Sequence, residues 1–149
     1  EDLGMQQGPM ISPRLFGRYI KPVYENLMAP ARAAGCIIHM HSDGDIRALA
    51  DDLLDCGVDV LNLQDLVNGI DWIQRNLKGR VCIDLDVDRQ NISQFGTPAD
   101  NEALIREEVE KLGSPEGGLM LRHAVRPGEP VENIRAIMDA MERYSDYYA

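Results

Sequence analysis

Residues 45–63, DIRALADDLLDCGVDVLNL, decide how the chain folds. Residues 45–56 read as a helix. Gly57 stands just past its end, where a left-handed residue is favoured, and VDVLNL at 58–63 reads as a buried strand. The same punctuation recurs downstream. GIDWIQRNLK (69–78) is a helix ended by Gly79, and RVCIDLDV (80–87) is the strand after it. Thr97-Pro98 opens a helix that runs to about Leu112, the strand LMLRH (119–123) follows GSPEGG, and Pro130 starts the last helix, NIRAIMDAMERY, ahead of the tail SDYYA. Upstream, Ser12 as N-cap and Pro13 at the first helical position start a helix to about Ala34, with Phe16, Ile20, Val23 or Tyr24, Leu27 and Met28 as its apolar stripe. Pro22 and Pro30 should kink or divide it, Gly35 ends it, and CIIHMH (36–41) begins as a strand.

One helix followed by four strand and helix pairs predicts a parallel sheet with right-handed crossovers, because parallel neighbours cannot be joined by a hairpin. Two architectures satisfy this pattern: an open doubly wound sheet, and half of an eight-stranded barrel. No glycine-rich phosphate fingerprint follows a strand, so the dinucleotide-binding form of the open sheet lacks its usual support. At 149 residues the chain reads as one domain over 1–149. That is short for eight β/α units, which take about 250 residues.

Fifteen basic against 25 acidic residues give a net charge of −10, which argues against nucleic acid or an anionic membrane surface as partner; a small-molecule substrate is the expected partner. No apolar run approaches the length of about 20 residues that spans a bilayer, and the polar start EDLGMQQGP is unlike a signal peptide, so a cytoplasmic location is expected. Cys36, Cys56 and Cys82 are odd in number and widely spaced. They read as buried thiols in a reducing compartment rather than as disulfides or a zinc knuckle.

In parallel α/β folds reactive groups collect at the carboxyl ends of the strands. Those ends carry, in order, His41-Ser42-Asp43, Asn62 with Gln64-Asp65, Asp84 with Asp86 and Asp88-Arg89-Gln90, and Arg122-His123. Strand alternation points His39, His41 and Asp43 the same way. Two imidazoles and a carboxylate, His41, Asp43 and His123, suit Zn²⁺ or another divalent metal such as Fe²⁺ with an open position. The competing reading is a hydrogen-bonded rim in which Asp43 or Asp45 caps the next helix and His41 bonds a backbone carbonyl. Asp84, Asp86 and Asp88 alternate and share a face. Asp86 or Asp88 could serve as acid or base, or Asp84 and Asp86 could pair with Arg80, Arg89 or Arg122. Asp51, Asp52 and Asp59 read as solvated acids, and Trp72 and the methionines as core.

Several segments together resemble the carboxyl-terminal half of the uroporphyrinogen decarboxylase superfamily, which includes cobamide-dependent methyltransferases. They are EDLGMQQGPMISPRLF (1–16), IIHMHSDGDI (37–46), GVDVLN (57–62), VDRQ and FGTP within 87–98, and GGLML with P-V-E-N within 117–133. The resemblance implies the last four units of a (β/α)8 barrel, which leaves the chain to be completed by a missing amino-terminal half or by a second copy. In methyltransferase members an H-x-C-G turn and a later cysteine hold zinc, which activates a thiol acceptor as thiolate. His41 matches that histidine, Asp43 replaces the first cysteine, and His123 stands in place of the second, a harder ligand set than thiolates. In decarboxylase members a histidine at the His123 position contacts the tetrapyrrole. The implied activities are metal-assisted methyl transfer from a corrinoid donor, with His41, Asp43 and His123 as ligands, and porphyrinogen decarboxylation without metal, with His123 and the acidic rim on the substrate. The third alternative, from another class, is a non-catalytic half-barrel that self-associates through its open strand edges.

Overall fold

The computed structural model describes residues 2–148; Glu1 of the amino-terminal motif and Ala149 of the tail lie outside the described residues. A short antiparallel hairpin comes first, β1 (Gly4–Met5) with β2 (Gly8–Pro9). α1 (Pro13–Leu15) starts at the expected signal, with the Ser12 hydroxyl accepting the Leu15 N–H. The next five residues, Phe16–Ile20, form a π-helical turn leading into α2 (Lys21–Ala33). Pro22, at the start of α2, offers no N–H, so the ladder is interrupted there and the predicted helix is divided at this proline. Pro30 is carried inside α2. Phe16 is buried and Ile20, Tyr24 and Met28 pack beside it on the core, whereas Val23 and Leu27 face outward. The stripe therefore steps by four residues.

The rest alternates as predicted, with two short helices added: β3 (His39–Ser42), a 3₁₀ turn (Arg47–Leu49) running into α3 (Ala50–Asp55), β4 (Val60–Gln64), α4 (Asp65–Asn68), α5 (Ile70–Asn76), β5 (Cys82–Asp86), α6 (Ile92–Phe95), α7 (Pro98–Leu112), β6 (Leu119–Arg122) and α8 (Val131–Tyr144). The two unpredicted helices are α4 and α6. The four later strands form one parallel sheet in the order β3-β4-β5-β6. A doubly wound sheet reverses its strand order at a switch point. Here the order never reverses, and crossovers of one hand then place every helix on the same face. The sheet is a partial (β/α) barrel wall with a helical exterior.

Register sorts side chains into rows. Met40, Leu61, Ile83 and Leu119 lie abreast, as do Ser42, Leu63, Leu85 and Leu121, and all but Ser42 belong to the apolar core or pack against it. The rows between them, His41-Asn62-Asp84-Met120 and Gln64-Asp86-Arg122, take the opposite face, which is polar. Strand alternation thus delivers apolar rows to the helices and polar rows to the barrel interior.

Some expectations shift. β3 starts at His39 rather than residue 36, because β4 first offers a pairing partner at Val60. Ile38 is held by the Asp59 carboxylate, while Cys36 and Ile37 are exposed. The buried-thiol expectation holds for Cys56, is half met by Cys82 and fails for Cys36. Met40 is core, but Met5, Met10, Met120 and Met138 are exposed. Asp51 and Asp59 are exposed as expected, although Asp51 pairs with Arg80 and Asp52 with Lys21. No helix among the described residues is long and apolar enough to cross a membrane.

The hairpin is locked onto the end of β3 by a glycine pair. A Cβ on Gly44 would stand 2.2 Å from the Gly4 carbonyl carbon, and Gly44 has φ +81°. Gly79 has a similar φ, +75°, but open space around it. Gly79→Ala should therefore cost only the left-handed strain, about 1 kcal/mol, whereas Gly44→Ala adds a backbone collision and should cost at least twice that. Thermal unfolding of the two variants measures the difference; equal losses would show that the crossing is not a tight one.

Candidate active site at the strand ends

His41 lies near the end of β3 on the polar face, and its ring is oriented by β4. The Asn62 amide nitrogen donates to the Asp84 carbonyl at 2.7 Å, which turns the amide oxygen toward His41 Nδ1 at 2.5 Å. Nδ1 is then the protonated nitrogen, donating to Asn62. The other nitrogen, Nε2, faces two carboxylate oxygens: Asp2 Oδ1 at 3.5 Å and Asp43 Oδ1 at 3.6 Å. A lone pair aimed between two anions is unfavourable, so the geometry favours a hydrogen-bond donor or a metal ion on that side.

The spacing permits either. Ligating atoms of Asp2, His41 and Asp43 all lie within 4.8 Å of one another. Two ligands of one tetrahedral ion with bonds of about 2.1 Å stand about 3.4 Å apart, close to the separations at Nε2. Asp2 is brought there by the hairpin: its Oδ1 also accepts the Asp43 N–H at 2.9 Å, and the Leu3 N–H donates to the Ser42 hydroxyl.

A second cation is already built in. Arg89 contacts Asp43 Oδ2 at 2.5 Å and Asp86 Oδ2 at 2.8 Å. Burial works against the guanidinium charge, but Asp43, Asp86 and Asp2 more than offset it and raise the Arg89 pKa. Asp86 is 1% exposed; Arg89 meets its Oδ2, and its Oδ1 is buried without a hydrogen-bond partner. Next to it, Asp84 holds His39 Nε2 at 3.0 Å. The turn after β3 is stitched from below: the Gly44 N–H donates to Gln64, and Asn68 bonds Ile46 N–H and the carbonyls of Gly44 and Gln64. Asp45, with its pKa lowered by Arg47, caps the 3₁₀ turn, the role expected of Asp43 or Asp45.

The residues singled out from the sequence separate into two groups. His41, Asp43 and Asp86 meet at one mouth. His123 does not join them. It follows β6 at the far edge of the sheet from β3, three strand spacings or about 14 Å of sheet away. Its Nε2 is bonded to Glu129 Oε1 at 2.8 Å with both side chains buried. The ligand set His41, Asp43 and His123 is thereby replaced by Asp2, His41 and Asp43. Asp88 is likewise committed elsewhere, since its carboxylate accepts the N–H groups of Gln90, Asn91 and Ile92 and caps the start of α6. A carboxylate so occupied has no free oxygen for acid or base work. Sequence reasoning misses the contacts of Asp2, Asn62 and Glu129. For Asn62 a signal exists in its place at a strand end; Asp2 carries none.

The family model described as uroporphyrinogen decarboxylase (URO-D) matches residues 3–144. The chain belongs to the uroporphyrinogen decarboxylase family. Relatives named uroporphyrinogen decarboxylase in two strains of Thermus thermophilus are 28% and 27% identical to it over 137 residues. Each match covers 89% of this chain and 38% of the relative, so the chain spans well under half the length of the curated relatives it matches. Within the family barrel, the sheet described here supplies four strands and one polar interior face.

Arg89 makes a direct test of this mouth. Arg89→Leu strands Asp86 as a buried, unpaired charge, and losing one partner of such a pair costs about 3 kcal/mol. Chemical denaturation at neutral pH should show that loss, with most of it recovered in the double variant Arg89→Leu/Asp86→Leu. A single variant as stable as the parent would mean that the ion pair carries no weight.

Proposed function

We propose that the chain forms the carboxyl-terminal half of a barrel that decarboxylates a porphyrinogen, with the polar face of the sheet as one wall of the substrate chamber. The observation that carries this reading is Asp86: a buried carboxylate at the mouth whose Oδ2 meets Arg89 and whose Oδ1 accepts no hydrogen bond. Such a group is suited to a ligand that presents several convergent N–H donors, as a reduced tetrapyrrole does at its centre. The names of the Thermus thermophilus relatives support the same direction. Arg122, abreast of Asp86 and exposed, offers a guanidinium to carboxylate side chains of the substrate. In this reading Asp86 orients the macrocycle, Arg89 holds Asp86 in place, and His41 supplies a polar edge.

A metal-assisted methyl transfer is the second reading, and one observation favours it over an empty rim: the Nε2 of His41 between two carboxylates. Asp2, His41 and Asp43 would hold the ion, Asn62 would fix the imidazole ring through Nδ1, and the metal would supply activation of a thiol acceptor. All-oxygen and nitrogen ligation shifts the preference from zinc toward harder divalent ions. A corrinoid methyl donor would belong to this reading alone.

The two readings separate in one set of assays on the intact protein. Incubation with uroporphyrinogen, followed by chromatography of the oxidised porphyrins, should show coproporphyrinogen as product, and Asp86→Asn should lower turnover by about 10²-fold, the effect of removing one preorganised electrostatic group. Absence of coproporphyrinogen rejects the decarboxylase reading. Elemental analysis of protein purified without chelator addresses the other: a stoichiometric divalent metal lost in His41→Ala supports methyl transfer, and no metal rejects it.

A further inference from the structure

We infer that Asp65 and Glu108 share a single proton and that this proton positions the turn carrying Arg89 at the mouth. The pair is built the same way whichever reaction the barrel performs. Glu108 lies on α7 and is 0% exposed; Asp65 begins α4, directly after β4, and is 1% exposed. The two carboxyl groups stand at hydrogen-bonding range.

Their surroundings differ in a way that assigns the proton. Asp65 accepts two backbone N–H groups, from Leu66 at 2.5 Å on Oδ1 and from Asp88 at 2.8 Å on Oδ2. Glu108 accepts none: both of its oxygens are buried without an N–H or O–H donor. A carboxylate with N–H donors keeps its charge, whereas a buried one without donors or a cation keeps its proton. Glu108 is therefore the donor and Asp65 the acceptor. Burial, then the Asp65 charge, pushes the Glu108 pKa well above the ordinary carboxyl range, and burial raises Asp65 to about 6.

The charged groups that bear on Glu108 are Asp65, Asp88 and its own-helix neighbour Glu107, all acidic. The ion pairs that tie α7 to neighbouring helices, Lys111 with Asp71 of α5 and Glu102 with Arg143 of α8, lie on the surface. The chain of contacts runs onward from Asp65. It holds the Asp88 N–H; the Asp88 carboxylate holds Gln90, Asn91 and Ile92; and Arg89, within that turn, reaches Asp43 and Asp86. Ionising Glu108 places two anions together in a dry site and pushes Asp65 away from the turn. Asp65 and Glu108 are thus positioning residues.

The sign of the pH effect follows. Glu108 is protonated in the folded protein and ionised in the unfolded chain at neutral pH, so its contribution is full below the ordinary carboxyl range and is lost as pH rises through its raised value. Backbone amide hydrogen exchange at Asp88 and Ile92, corrected for intrinsic rates, reads the latch in the intact protein between pH 7 and 10, above the Asp65 value. Protection should fall with rising pH by up to about tenfold per unit in the parent, one proton per opening. Glu108→Gln supplies a donor amide that does not titrate, so its protection should stay flat. Asp65→Asn removes an acceptor and should lower Asp88 protection at every pH. A parent profile that matches Glu108→Gln, or Asp88 protection unaffected by Asp65→Asn, overturns the inference. Carbon-13 NMR of the Glu108 carboxyl gives a test that needs no variant: it should report a protonated group at pH 7, and an ionised one overturns the proposal.

Discussion

The alternation of side chains along parallel strands in unbroken register is the constraint on which the molecule rests. Because His41, Asn62 and Asp84 lie abreast, the same pleat that sends Met40, Leu61 and Ile83 to the helices sends these three to the opposite face. A slip of one residue in any strand would exchange the two sets, burying imidazole and carboxylate under the helices. The apolar rows therefore set the geometry of the candidate site as much as the polar residues do. Asn62 shows how directly: its amide is fixed by a carbonyl of β5, and it in turn fixes a histidine of β3.

Charge balance at the mouth is the second organising element. The chain carries a net charge of −10, and the strand ends concentrate acids. Each buried acid on the polar face has been given a separate partner: Asp84 has His39 and Asp86 has Arg89, which also serves Asp43. On the helical side the solution differs. Asp88 is satisfied by backbone N–H groups, and Glu108, with neither cation nor N–H, is satisfied by its own proton. Three ways of keeping a carboxyl group in a low-dielectric setting thus occur within one layer of strand ends.

How much of this the sequence could disclose depends on the range of each interaction. The four strand and helix units are legible because each is announced locally, by an apolar run and by a glycine at +75° to +93° such as Gly35, Gly57 or Gly79 closing the element before it. The hairpin β1-β2 is not, since strands of two residues have no periodicity to read. Asp2 reaches His41 only through the close crossing of Gly4 and Gly44, a contact between residues 40 apart in the chain that no local pattern encodes. His123 illustrates the opposite error. Its place at a strand end is legible, but β3 and β6 are separated by two strands, and a common end of a sheet is not a common site. The glutamate that binds it, Glu129, sits in a loop where spacing carries no signal.

The two functional readings share more than they dispute. A carboxylate has two oxygens, and at Asp43 they are divided: Oδ2 faces Arg89, while Oδ1 faces His41. A guanidinium and a second cation can therefore occupy Asp43 together without competing for one lone pair. A metal held there would not need to displace Arg89. What distinguishes the readings is whether a metal ion takes the position beside His41 Nε2.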